Sequence, residues 1–166
     1  PKRIAPYCTL SSNTPDTAVA ELERCLSMGR CIGVKMHRYN QRRYTMQSDF
    51  MQPVLEILNE RNLVYLNHVF VDHDSLVWAA DRYPDVLFLS GHGVDRSIND
   101  LACAHENIRD CTCAARELNA LKDEIDRLGR SDTLLVGSDF NLFYLGFGIG
   151  MVAYSDISEE AKRDII

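Results

Sequence analysis

The chain predicts an α/β fold on a parallel sheet, and three observations carry that prediction. Apolar, strand-favouring runs alternate with amphipathic stretches of 10 to 15 residues about six times, the pattern of repeated βα units. Three of the runs reach a chemistry-bearing residue at their end: residues 63–68 reach His68, 86–92 reach His92, and 134–140 deliver Asp139. Parallel strands bring such ends to one edge, where active sites of barrels and open α/β sheets lie. There is also no Walker A motif and no strand-linked GxGxxG, because Gly146-Phe147-Gly148-Ile149-Gly150 follows the Asp139 rim instead of opening a helix after a strand. Six βα units suit an open sheet or most of a barrel.

Each element has its own signal. Residues 4–10 read as a strand with Pro6 near its start, where a missing N–H is tolerated. Asn13-Thr14-Pro15-Asp16 opens a helix to about Met28, with Ala18, Leu22, Cys25 and Leu26 on one face and Gly29 at its end. A strand over 31–37 and a polar, basic rim loop over 40–45 follow. Ser48-Asp49 caps the next helix, where Met51, Val54, Leu55 and Leu58 keep helical spacing, and Asn62 closes it before the strand at 63–68. Asp72-His73-Asp74 caps a helix through Leu76, Val77, Ala80 and Tyr83, and Pro84-Asp85 turns the chain into the strand ending at His92. Then come a short helix over 98–105, a strand over 107–112 and an amphipathic helix over 117–128 stopped by Gly129. The last strand runs to Asp139, a Gly-rich loop follows it, and Ser158-Glu159-Glu160 opens a helix in which the sequence ends.

Composition narrows the partners. Lys and Arg total 18 against 24 Asp and Glu, a net charge of −6, which argues against general affinity for nucleic acid or anionic membrane. The most apolar stretch, 142–154, is broken by three glycines and falls short of the roughly 20 residues a spanning helix needs. The first six residues carry two positive charges but no apolar run or cleavage site of an export signal. The expectation is a cytoplasmic protein with a small-molecule partner and no nucleic-acid or membrane partner. Six cysteines without a CxxC pair, scattered through apolar segments, read as reduced core thiols.

His68 and Asp139, each just past an apolar strand, are the expected ligands of a divalent metal, since imidazoles and carboxylates together suit zinc. His92 lies between glycines in Ser90-Gly91-His92-Gly93, so it could ligate the metal or hold and deprotonate its water; with Asp139 it makes the expected catalytic pair. Lys35 and His37 end another strand, and one of them could face the same centre, Lys35 orienting an anionic substrate group or making a rim ion pair. Arg38, Arg42 and Arg43 with Tyr39 and Tyr44 could clamp a carboxylate bidentately or lie in a solvated loop. Lys35, His37, Arg38 and Arg42 are the candidate substrate-binding residues. His73 reads as helix-start chemistry, His105 as a solvated helix residue and Asp110 as support for neighbouring strands. Ser138 lacks the G-x-S-x-G context, and Cys111 and Cys113 show no paired base.

Several of these pieces occur in a recognisable order: residues 18–24 leading to Gly33-Val34-Lys35-Met36-His37, then Asn67-His68, Tyr83-Pro84-Asp85 leading to Ser90-Gly91-His92-Gly93, Glu106-Asn107-Ile108, and Val136-Gly137-Ser138-Asp139-Phe140 with Ser158-Glu159-Glu160. Over nearly the whole chain this resembles the amidohydrolase-related (amidohydrolase 2) family of metal-dependent hydrolases and decarboxylases, which are (β/α)8 TIM-type barrels. The resemblance implies that the six strands match the third to eighth of the barrel. It implies that His68 is a fifth-strand metal ligand, His92 the sixth-strand histidine near the metal-bound water, and Asp139 the eighth-strand carboxylate that binds metal or takes a proton. It also implies zinc and small carboxylate or aromatic-acid substrates. The family's first-strand His-x-His pair has no counterpart here. The expected architecture is therefore one domain, 1–166, an incomplete barrel without its first two βα units, either a piece of a longer enzyme or a chain closed by a partner. Its open sheet edges would favour homo-oligomers.

The activity expected first is hydrolysis, a metal-activated water attacking an amide, ester or lactone-type carbon while Asp139 and His92 move protons. Two alternatives stand beside it: a non-oxidative decarboxylase using the same centre, and a catalytically inactive fragment or binding module.

Overall fold

Helical spacing of apolar residues fixes which face each helix buries, and a computed structural model of the protein follows that spacing. It describes residues 4–37, 43–140 and 142–166. They divide into two units, Pro1–Leu89 and Ser90–Ile166.

The first unit runs β1 (Cys8–Thr9), a 3-10 turn (Pro15–Thr17), α1 (Ala18–Ser27), β2 (Gly33–Met36), α2 (Met51–Glu60), β3 (Val64–Asn67), α3 (His73–Arg82) and β4 (Leu87–Ser90), whose last residue begins the second unit. β1 pairs in parallel with β2, Cys8 opposite Val34, and β2 pairs in parallel with β3, from Gly33 opposite Val64 to Met36 opposite Asn67. The helices bury the expected stripes: Ala18, Leu22 and Cys25 on α1, Met51, Val54, Leu55 and Leu58 on α2, and Leu76, Ala79 and Ala80 on α3. Asp72 caps α3 by accepting the Ser75 N–H at 3.0 Å.

The second unit contains α4 (Arg96–Ala104), β5 (Ile108–Cys111), α5 (Leu118–Leu128), β6 (Leu134–Leu135), α6 (Leu145–Ala153) and α7 (Glu159–Ile165). β5 and β6 are parallel, Asp110 opposite Leu134 and Cys111 opposite Leu135. Leu121, Leu134, Val152 and Ile165 form its core, with Val94, Ile125, Val136 and Ile157 packed around them. Asp95 and Ser158 cap α4 and α7, and Gly129, at φ +69°, ends α5.

The α/β class and the order of elements match the sequence reading, with differences in element bounds and in one segment; the first helix, for example, opens as a 3-10 turn before α1, and α4 begins at Arg96 rather than 98. The strands are shorter: β1 keeps two of the residues 4–10, and β6 stops at Leu135, four residues before Asp139. The first residue before α2 is Phe50 rather than Ser48 or Asp49; the Ser48 hydroxyl accepts the Thr45 N–H instead, closing the preceding turn. The glycine-rich segment is a helix, α6, not a loop. Gly148 packs so closely on the backbone of Gly137 and Ser138 that a Cβ would clash, so this glycine serves packing rather than flexibility. Among the described residues no helix is long and apolar enough to cross a membrane.

Candidate active site

In the first unit, register determines what meets at the end of the strands. Met36 lies opposite Asn67, and the His68 N–H donates to the Met36 carbonyl at 3.2 Å. The next residue of each strand is a histidine, so His37 and His68 are neighbours: their rings stack with centroids 4.3 Å apart and planes 27° from parallel. Both are half-buried. Strand alternation puts Lys35 on the same face as His37. Next to Asn67 is a cavity of about 650 Å³ lined by Arg43, Tyr44, Met46, Val69 and Phe70 among others. The Tyr44 and Tyr65 hydroxyls meet at 2.9 Å, and burial raises the pKa of both phenols. Ser75 holds the segment 46–47 against α3: its hydroxyl accepts the Met46 N–H at 2.7 Å and donates to Gln47 Oε1 at 2.8 Å.

In the second unit the strand ends are unusual in backbone conformation. His92 past β4, Ala114 past β5 and Asp139 past β6 have φ of +83°, +61° and +51°. Non-glycine residues in this region are strained, and such strain concentrates at ligand-binding and catalytic positions. Asp139 is half-buried, and its Oδ2 is buried without a hydrogen-bond partner among the described residues. A bare buried carboxylate oxygen is costly, and a bound cation removes the cost. Asp139 therefore offers a divalent metal one open carboxylate oxygen, a usual donor to such ions, although among the described residues it belongs to no gathered group of three His, Cys, Asp or Glu ligand atoms. His92 is exposed and borders a second cavity of about 390 Å³, with Val94, Arg116 and Glu117.

Cys111 and Cys113, for which the sequence showed no paired base, lie at this edge, and their contact with the His92 backbone was not foreseen. The His92 N–H donates to Cys113 Sγ at 2.8 Å. The Cys113 thiol is drawn down to about 6, first by the hydrogen bond from Cys111 and then by the N–H groups of His92 and Gly93, against its burial and the charge of Asp139. The same bond, with burial, pushes the Cys111 thiol up. The available signal was the spacing, since residues two apart at a strand end share a face. The sequence reading of Asp110 as a support agrees with its surroundings: it is fully buried and accepts N–H bonds from Asp95 (2.6 Å), Cys111 (3.0 Å) and the Asn99 amide (3.3 Å). Burial nonetheless pushes its carboxyl up to about 8.

His37 and His68 are thus brought together, and Asp139, Cys113 and the His92 backbone belong to one neighbourhood of the second unit. Arg38, Tyr39 and Arg42 lie outside the described residues. His73 is the first residue of α3, as its helix-start reading expects.

Comparison with known proteins adds the fold family of these features. No family model matches the chain, and no curated protein matches it. Solved structures do: 2,6-dihydroxybenzoate decarboxylase from Rhizobium at 15% identity and TM-score 0.73, covering 98% of this chain and 68% of that one; dihydroxybenzoic acid decarboxylase from Polaromonas with bound manganese and the inhibitor 2-nitroresorcinol, at 16% and 0.67, covering 91% and 63%; and a TIM-barrel protein from Bordetella bronchiseptica at 13% and 0.77, covering 97% and 63%. The chain spans about two thirds of the length of these neighbours. The resemblance read from the sequence therefore holds in the fold: this chain has the α/β architecture of part of a TIM barrel, similar to the folds of these decarboxylases.

Proposed function

We propose that this chain is the catalytic part of a metal-dependent, non-oxidative decarboxylase acting on a small aromatic carboxylate. The observation that carries the reading is Asp139: a carboxylate past β6 on strained backbone, with one buried oxygen unpartnered. The decarboxylase names of the Rhizobium and Polaromonas neighbours favour this reaction over hydrolysis.

His68, with His37 beside it in the first unit, and Asp139 in the second are each proposed as a ligand of a divalent ion, manganese or zinc. When bound, a divalent ion supplies Lewis-acid polarisation of substrate oxygens. The chain's own groups do the rest. Decarboxylation breaks the bond between the ring carbon and the carboxylate, carbon dioxide leaves, and a proton must reach that ring carbon. Asp139 and His92 are the groups assigned to move it. Lys35, on the face of His37, orients the anionic substrate, and Arg38 and Arg42 remain candidates for the carboxylate clamp.

The test supplies the protein with manganese and 2,6-dihydroxybenzoate and measures carbon dioxide release, beside Asp139→Asn and His68→Ala. Release that falls by about 100-fold or more in both variants is the expected result. Hydrolysis of a lactone or ester without decarboxylation would return the assignment to the hydrolase reading. A metal-loaded protein inactive in both assays would identify a binding module.

A further inference from the structure

The first unit carries a second set of metal-binding donors that the catalytic reading leaves unused. Glu21 and Cys25 are four residues apart on α1 and so share a face. That face meets β1 at Cys8. One ligand atom each of Cys8, Glu21 and Cys25 lies within 4.8 Å of the other two. Both thiols are free, Cys8 1% and Cys25 8% exposed. The Cys25 Sγ donates to Glu21 Oε1 at 3.6 Å. Arg24 grips the same carboxylate through two bonds of 2.7 Å, and its terminal nitrogen also lies 3.6 Å from Cys25 Sγ. Core packing accounts for either thiol alone, since buried cysteine behaves as a small hydrophobe. Beside them, the exposed i,i+3 pair of Glu21 and Arg24 sets a charged carboxylate against both thiols.

We propose that Cys8, Cys25 and Glu21 form a binding site for a soft divalent cation of the zinc or cadmium class, with Arg24 as the outer partner that orients Glu21. Two thiolates and one carboxylate carry three negative charges, which the cation and the Arg24 guanidinium neutralise together. Ligating carboxylates are themselves hydrogen-bonded in such sites, and Arg24 already makes those bonds. On binding, Cys8 and Cys25 each release a proton to solvent and form a sulfur–metal bond, with no change of oxidation state. The Cys31 thiol donates to the Gly33 carbonyl at 3.2 Å, which leaves the fourth position to water entering past Glu21, whose side chain is 39% exposed. Thiolates select zinc and cadmium, whereas manganese prefers oxygen ligands such as the Asp139 carboxylate.

The experiment titrates the reduced protein with cadmium alone and follows the ultraviolet thiolate-to-cadmium charge-transfer band. The band should saturate with the intensity of two thiolates per ion, survive Cys103→Ser, and fall in the Cys8→Ser, Cys25→Ser double variant. Arg24→Gln should weaken binding about tenfold. Undiminished intensity in the double variant, or cadmium uptake without the band, overturns the proposal. Should circular dichroism show the double variant unfolded, Glu21→Gln decides: about tenfold weaker cadmium binding supports the site, and unchanged affinity overturns it.

Discussion

Asp110 and Asp139, on β5 and past β6, are two carboxyl groups in opposite surroundings. Asp110 is enclosed by three N–H donors on β5 and α4, and burial still holds its pKa near 8 against an ordinary 3.8. An acid whose pKa is raised on folding binds its proton more tightly in the native state, so the stability it contributes is full below about 3.8 and is lost as pH rises through about 8. Denaturant unfolding should therefore show stability falling between pH 5 and 8, by up to about 1.4 kcal/mol per pH unit, with the slope flattened in Asp110→Asn. A profile that is the same in both proteins would show that Asp110 stays ionised. Asp139 has its oxygen open instead of enclosed, which is why we propose it as the binding carboxylate. His68, His92 and Asp139 stood out in the sequence because each follows an apolar strand. The meeting of His37 with His68 did not, because it depends on the register of β2 against β3.

The secondary-structure elements carry their own tests, beginning with helix α6. Its glycines resembled a loop in sequence, yet Gly148 is where the helix meets the backbone of Gly137. Gly148→Ala improves helix propensity in isolation but overpacks this contact, so it should destabilise the protein by about 1–3 kcal/mol, read as a lower melting temperature. A gain in stability would mean that α6 shifts freely. The starts of α3 and α7 were legible because Asp72 and Ser158 make the caps, whereas α4 starts at Arg96 behind its Asp95 cap, two residues before the expected 98; Asp72→Ala should cost about 1 kcal/mol by loss of the bond to the Ser75 N–H, measured by denaturant midpoint. The start of α2 was not legible in the same way, since Ser48 spends its hydroxyl on the turn at Thr45.

For the molecule as a whole, metal and assembly are the open variables that experiments can set. If Asp139 is a ligand, manganese at 100 times its dissociation constant should raise stability by about 2.7 kcal/mol, and Asp139→Asn should abolish the increment. Manganese suits this test because the thiol site prefers softer ions. Self-association, which the sequence led us to expect from open sheet edges, would cover the exposed side chains of Phe140, Leu142, Tyr144 and Leu145, between 61% and 88% accessible. Sedimentation velocity should show mass increasing with concentration, and a monomer throughout would remove the expectation.

The alternation of strands and helices, the faces the helices bury and the placing of His68, His92 and Asp139 past strands followed from the order of residues alone. Apolar periodicity and turn chemistry act over a few residues, so they are written locally. The His37–His68 stack, the bond from His92 to Cys113, the raised acid at Asp110 and the gathering of Cys8 with Glu21 and Cys25 required the folded chain. Each joins residues from different elements, and strand register, burial and close packing, which no local pattern encodes, decide whether they meet.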